Sequence, residues 1–190
     1  MSKLRSGTVG SDSLLAGEIP DRSRFAKRIT NSPIDHLFIA DHISFQPGIG
    51  MDGGRSDAAI KRAALLSDDW LGVWASAARF GNVVKHIKEL AEQRSDIPDW
   101  QHGMQLWARV GDNARQHVAR GMEEMYRTPF EKFEKYSPYG SAQVIADFII
   151  PYIENGACIF NIAARGENEE ICIDTTAEVS EILHKAYPEL

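Results

Sequence analysis

The residues of this chain whose types and spacing could do chemistry are Asp41-His42 and the run Asp52-Gly53-Gly54-Arg55-Ser56-Asp57. Two adjacent glycines let the backbone turn tightly and lie close to a ligand. Ser56 is a natural N-cap, and Asp57 follows it in the first turn of a helix. A glycine turn feeding a helix N-terminus aims free N–H groups and a positive dipole end at whatever sits above it. That arrangement favours a phosphate, although the same residues also make a plain capped turn. His42 follows the apolar run Leu37-Phe38-Ile39-Ala40. It therefore stands at a strand tip, where a neutral imidazole can move a proton near pH 7 or merely satisfy the strand end. Asp41 is placed to orient that histidine or a neighbouring backbone group.

These residues need elements to position them. Gly7 to Gly10 reads as a short first strand, and Asp21 to Ile29 as a helix capped by Asp21. Ile34 to Phe45 reads as a strand buried on both faces. The helix opened by Ser56 carries Ala59, Ile60, Ala63 and Ala64 on one side. Asp69 to Ala75 reads as a strand, Phe80 to Arg94 as an amphipathic helix, and Met104 to Val110 as a strand. Asp112 caps a helix striped with Ala114, Val118, Met122 and Met125, and a short helix runs from Phe130 to Tyr136. Ser141 caps another, with Val144, Ile145, Phe148, Ile149 and Ile153 inward. Cys158 to Ala163 is the last strand and Glu169 to Ala186 the last helix. Alternation of strand and helix predicts an α/β fold with parallel strands, in a single domain over 1–190.

Composition excludes several classes. The chain has 190 residues, 43% of them hydrophobic, enough for one core. Its net charge of −6, with no basic block, argues against nucleic acid. No run is long and apolar enough to cross a membrane. The first residues lead into no apolar segment, so no signal peptide is expected. Cys158 and Cys172 form no CxxC pair and suit a reducing cytoplasm. No histidines and carboxylates show metal-ligand spacing, so no metal is expected. Trp70, Trp74 and Trp107 read as core, Asn161 as a satisfied buried polar group, and Arg165 as a solvent-facing arginine at the rim.

Several segments together resemble one family. Ile39-Ala40-Asp41-His42-Ile43-Ser44-Phe45 is similar to the end of the second barrel strand in the bacterial-luciferase-like flavin- or deazaflavin-dependent oxidoreductases. The stretch from Gly54 to Ala64, then Asp68-Asp69-Trp70-Leu71-Gly72, resembles that family's phosphate-binding turn and helix. Pro129 to Tyr136, Gly140 to Val144 and Gly156 to Asn161 resemble its C-terminal part. The resemblance implies a (β/α)8 barrel and hydride transfer on FMN or a reduced deazaflavin coenzyme. It implies His42 beside the ring, Asp41 supporting it, and Gly53, Gly54, Arg55 and Ser56 holding the phosphate.

The departure from the family has a location. Such barrels run about 250 residues with eight strands, and here there are five strand candidates. The loop after the second strand runs directly into the phosphate turn, an apparent deletion at about 52–54 of the third to fifth strands. The expected fold is an incomplete TIM-barrel-like fold with about five parallel strands. Its expected function is a luciferase-like oxidoreductase or monooxygenase acting on a small organic substrate. The alternative is a non-catalytic remnant or a partner subunit. An open sheet exposes two edges and part of an apolar interior, so a homodimer or a heteromer with a full-length relative is expected.

Overall fold

The computed structural model describes residues 3–10, 19–39, 56–67, 69–92, 94, 100–164 and 169–188. The strands are β1 (Arg5–Gly10), β2 (His36–Ile39), β3 (Leu71–Val73), β4 (Gly103–Val110), β5 (Tyr139–Gly140) and β6 (Ile159–Ala164). The helices are α1 (Ile19–Thr30), α2 (Asp57–Leu66), α3 (Ala77–Leu90), α4 (Ala114–Tyr126), α5 (Ala142–Glu154) and α6 (Glu169–Ala186). All strand pairs are parallel, in the order β2-β1-β6-β4-β3, with β5 joined to the last two residues of β4.

That order identifies the architecture. The first strand pairs with the last, and from that seam the strand numbers rise on one side and fall on the other. A barrel closed by its first and last strands, then deprived of consecutive middle ones, gives this order. The fold is α/β, a partial TIM-barrel-like sheet of parallel strands flanked by helices.

The outer face of the sheet carries the main core. Met104, Leu106 and Ala108 of β4 and Phe160, Ile162 and Ala164 of β6 point outward at period two. They pack on Ile60, Phe80, Val84, Ile87, Ile145, Ile149, Val179 and Leu183 from α2, α3, α5 and α6. Gly72 of β3 lies so close to the Trp70 and Phe80 rings that a Cβ there would stand 2.9–3.2 Å from them. Serine hydroxyls cap the N-termini of α2, α3 and α5: Ser56 accepts from Ala59 N and Ser141 from Val144 N, as expected, and Ser76 accepts from Arg79 N, each at 3.3 Å.

Several expectations need correction. Asp21 lies inside α1 rather than before it. The N-cap of α4 is Asn113, in a left-handed conformation with no side-chain cap bond, and not Asp112. Phe130 to Tyr136 forms two 3-10 turns, because the chain turns back toward β5 before a full helix can form. Met125, expected on the apolar stripe of α4, and Val144, expected inward on α5, are both exposed. Between Asp112 and Gly156 the chain does more than cross from β4 to β6. α4 leaves the outer helical layer, and its Val118 and Met122 pack with Trp74, Trp107, Phe130 and Ala163. Trp107 and Ala163 lie on the inner face, so α4 and the 3-10 turns cover the upper part of the barrel interior.

Candidate functional site

Ser56 is the one member of the expected phosphate turn among the described residues. Arg94 beyond α3 donates to Ser67 O at 2.7 Å, tying the end of α2 to the end of α3. Only a short connection then leads to the start of β3. The N-terminus of α2 therefore points toward the opposite, C-terminal end of the sheet, where β2 also finishes. Parallel α/β barrels build their sites at that end. Ser56 Oγ is occupied as an acceptor by its own cap, which leaves its O–H free to donate to an anion. Asp41, His42, Gly53, Gly54 and Arg55 lie outside the described residues, as does Arg165.

The inner face of the sheet has two layers. The upper one is aromatic. Trp74 and Trp107 lie with ring centroids 5.8 Å apart, and Tyr126 and Phe133 stand 4.9 and 4.8 Å from Trp74. Trp74 follows Val73, which faces inward, so simple alternation would send it outward. Its backbone instead takes a left-handed conformation with φ 50°. That turn swings the indole into the inner cluster, a conformation that costs about 1–3 kcal/mol for a bulky residue.

The lower layer is polar. The register places His36, Gly7, Asn161, Gln105 and Val73 side by side across five strands. His36 Nε2 and Asn161 Oδ1 are 2.7 Å apart, so the imidazole reaches across β1 to β6. It can do so because residue 7 is glycine: a Cβ there would stand 2.4 Å from the ring. Asn161 is 3% exposed and Gln105 8%. The expected exposed apolar interior is thus absent among the described residues; the lower layer is polar and the upper one is covered. Asn161 is buried and bonded as its sequence context suggested. His36 was not singled out in the sequence, and nothing local marks it, since its partner lies 125 residues away.

His102 is a second buried histidine, on the outer side below β4. It stacks on Trp100 with centroids 5.4 Å apart. Neither ring nitrogen has a hydrogen-bond partner among the described residues. Burial, with Lys88 adding to it, pushes its pKa down to about 4. Among the described residues no group of three potential ligands could hold a metal, and no helix is long and apolar enough to cross a membrane.

No family model and no curated protein matches the chain. Solved structures do match. Flavoprotein 390 is similar over 100% of both chains, with a TM-score of 0.62 at 14% identity. An F420-dependent secondary alcohol dehydrogenase, solved with an F420-acetone adduct, is similar over 66% of this chain with a TM-score of 0.55 at 14% identity. This chain spans 46% of that dehydrogenase. A long-chain alkane monooxygenase is similar over 79% of this chain with a TM-score of 0.49. At these identities the likeness is one of fold.

Proposed function

We propose that this protein binds a flavin-type cofactor, FMN or a deazaflavin, at the C-terminal end of its sheet and is an oxidoreductase of the luciferase-like kind. The observation that carries the reading is the strand order, which is that of a barrel seam without its consecutive middle staves, and the fold likeness to flavoprotein 390 over the whole of both chains supports it. The motifs around His42 and Ser56 add to it.

A bound flavin or deazaflavin would supply hydride transfer; the protein supplies position and electrostatics. In this reading the free N–H groups of α2 and the Ser56 hydroxyl hold the phosphate, with Gly53, Gly54 and Arg55 completing the turn. His42 stands beside the ring as a hydrogen-bond partner or proton donor, and Asp41 supports it. The chain is one domain that has lost its central staves at about 52–54.

A second reading is binding without turnover, alone or beside a full-length relative that pairs with β2 and β3, the edges of the sheet among the described residues. It is favoured by the aromatic cap of Trp74, Trp107 and Phe130, which fills the upper interior. Titration with FMN, and separately with reduced deazaflavin, tests the shared premise. Saturable binding is expected, weakened about tenfold or more when Ser56→Ala and Gly54→Ala are combined, as loss of two phosphate contacts requires. Failure of both cofactors to bind the folded protein refutes the flavin reading. Bound cofactor that is neither reduced nor oxidised by any added donor or acceptor selects the second reading.

A further inference from the structure

We propose that Arg94 is a positioning residue for the Ser56 turn: it holds α2 by its C-terminal end and thereby sets where the helix N-terminus stands above the sheet. α2 has ten residues, too few to be stable as an isolated helix. Among the described side chains, those it gives to the outer core are Ile60, Ala63 and Ala64. One is large and two are small, and small side chains make few contacts. The N-terminal cap does not place the helix, because Ser56 Oγ accepts from Ala59 N of the same helix. What places it acts at the other end.

That end carries carbonyls with no partner inside the helix, and the negative pole of the helix dipole. α2 has no basic residue in its own last turn, so the cation comes from elsewhere in the chain. Arg94 Nη1 donates to Ser67 O at 2.7 Å and, over a longer 3.4 Å, to Ala64 O. Arg94 N donates to Ala91 O at 2.8 Å, which fixes its backbone to the end of α3. Its guanidinium lies 5.7 Å from the centre of the Trp100 ring. Trp100 stacks on His102, with centroids 5.4 Å apart and 22° between the planes. His102 O in turn receives Cys158 N at 2.9 Å, just before β6. Contacts thus run without a break from the α2 carbonyls to the lower ends of β4 and β6. The link uses a donor fork and a flat cationic face together, which a lysine supplies only in part.

This inference rests on the reading of the α2 N-terminus as a phosphate cradle, and its test separates the two. Hydrogen exchange of the α2 amides, without ligand, is compared among the wild type, Arg94→Met and Arg94→Lys. Riboflavin and FMN, the same ring without and with the phosphate, are titrated on each by flavin fluorescence. The Ile60 amide donates to Ser56 O in the first turn. In Arg94→Met it is expected to exchange about tenfold faster or more, the scale of one hydrogen bond to a charged group, while the β4 and β6 amides keep their rates. FMN is expected to bind about tenfold more weakly in that variant while riboflavin keeps its affinity. Arg94→Lys is expected to recover part of both losses. Acceleration confined to the last turn of α2 overturns the inference, since Arg94 would then be a local cap. So does acceleration shared equally by β4 and β6, which is a general loss of stability. An advantage of FMN over riboflavin that Arg94→Met leaves unchanged overturns it as well. A wild type that shows no such advantage, or binds neither flavin, with Ile60 still responding, removes the phosphate reading and keeps Arg94 as the residue that sets the Ser56 turn. A wild type that prefers FMN, with Ile60 unresponsive, does the reverse.

Discussion

The two faces of one sheet follow different rules. On the outer face, Met104, Leu106, Ala108, Phe160, Ile162 and Ala164 meet four helices in a continuous apolar core. On the inner face, residues one position away in the same strands are Gln105, Trp107 and Asn161, and the buried Trp107 indole N–H has no hydrogen-bond partner among the described residues. In a closed barrel the inner face is filled by side chains from eight strands. Here the outer face holds the helical core, and the inner face is packed in its upper, aromatic part. The outer face is thus a continuous apolar core, and the inner face sets an aromatic cluster above a polar row.

The largest effect that sharpens this contrast is expected from Phe160→Ala. Phe160 is fully buried on the outer face, and truncation of such a phenylalanine costs about 3–5 kcal/mol. Chemical denaturation should show that loss, whereas Gln105→Met, on a neighbouring strand but facing inward, should show none. Equal losses at both positions would erase the distinction between the faces.

A comparable but pH-dependent effect belongs to His102, buried on the outer side. Its folded pKa is about 4, against 6.5 when exposed. Between those values the unfolded chain takes up a proton that the folded chain refuses, so stability rises with pH across that window and falls on acidification. The full difference is about 3 kcal/mol. Unfolding free energies measured between pH 7 and pH 4 should decline accordingly, and His102→Phe, which preserves a ring against Trp100, should flatten the decline. An unchanged slope in that variant would assign the acid sensitivity to other groups.

The outer face was legible in the sequence because its rules are local. Apolar runs marked β4 and β6, and Ser56 and Ser141 marked helix starts that the structure keeps. The last helix begins and ends where its apolar spacing places it. The inner face was not legible, because its decisive contacts are long-range or conformational. Nothing near His36 announces Asn161. Nothing in Val73-Trp74 announces a left-handed turn that reverses the indole. The stripe of Ala114, Val118 and Met122 says that α4 buries one side, but not against which face of the sheet. β5 has only two residues, too few to leave a period. Of the site expected from motifs, Ser56 alone is among the described residues, and its capping role was the part that residue type and position could predict.

The smallest effect tests what holds the aromatic cap over the inner face. Glu134 receives Arg115 through two bonds of 2.7 and 3.1 Å, and the Tyr139 hydroxyl donates to it at 2.8 Å. These contacts tie α4 to the second 3-10 turn and to β5. The Arg115 bonds, then the Tyr139 bond, hold the Glu134 pKa below the usual carboxylate range, so what they contribute is present near neutral pH and fades as pH falls through that lowered value. The groups are solvent-accessible, and exposed ion pairs contribute little. Glu134→Gln should therefore leave the unfolding midpoint nearly unchanged at neutral pH. Near-ultraviolet circular dichroism should also keep the signature of the Trp74, Trp107 and Tyr126 cluster, because ring packing rather than charge seats the cap. A midpoint that drops as far as it does for Phe160→Ala would mean that this ion pair, and not the aromatic cluster, keeps the upper interior closed.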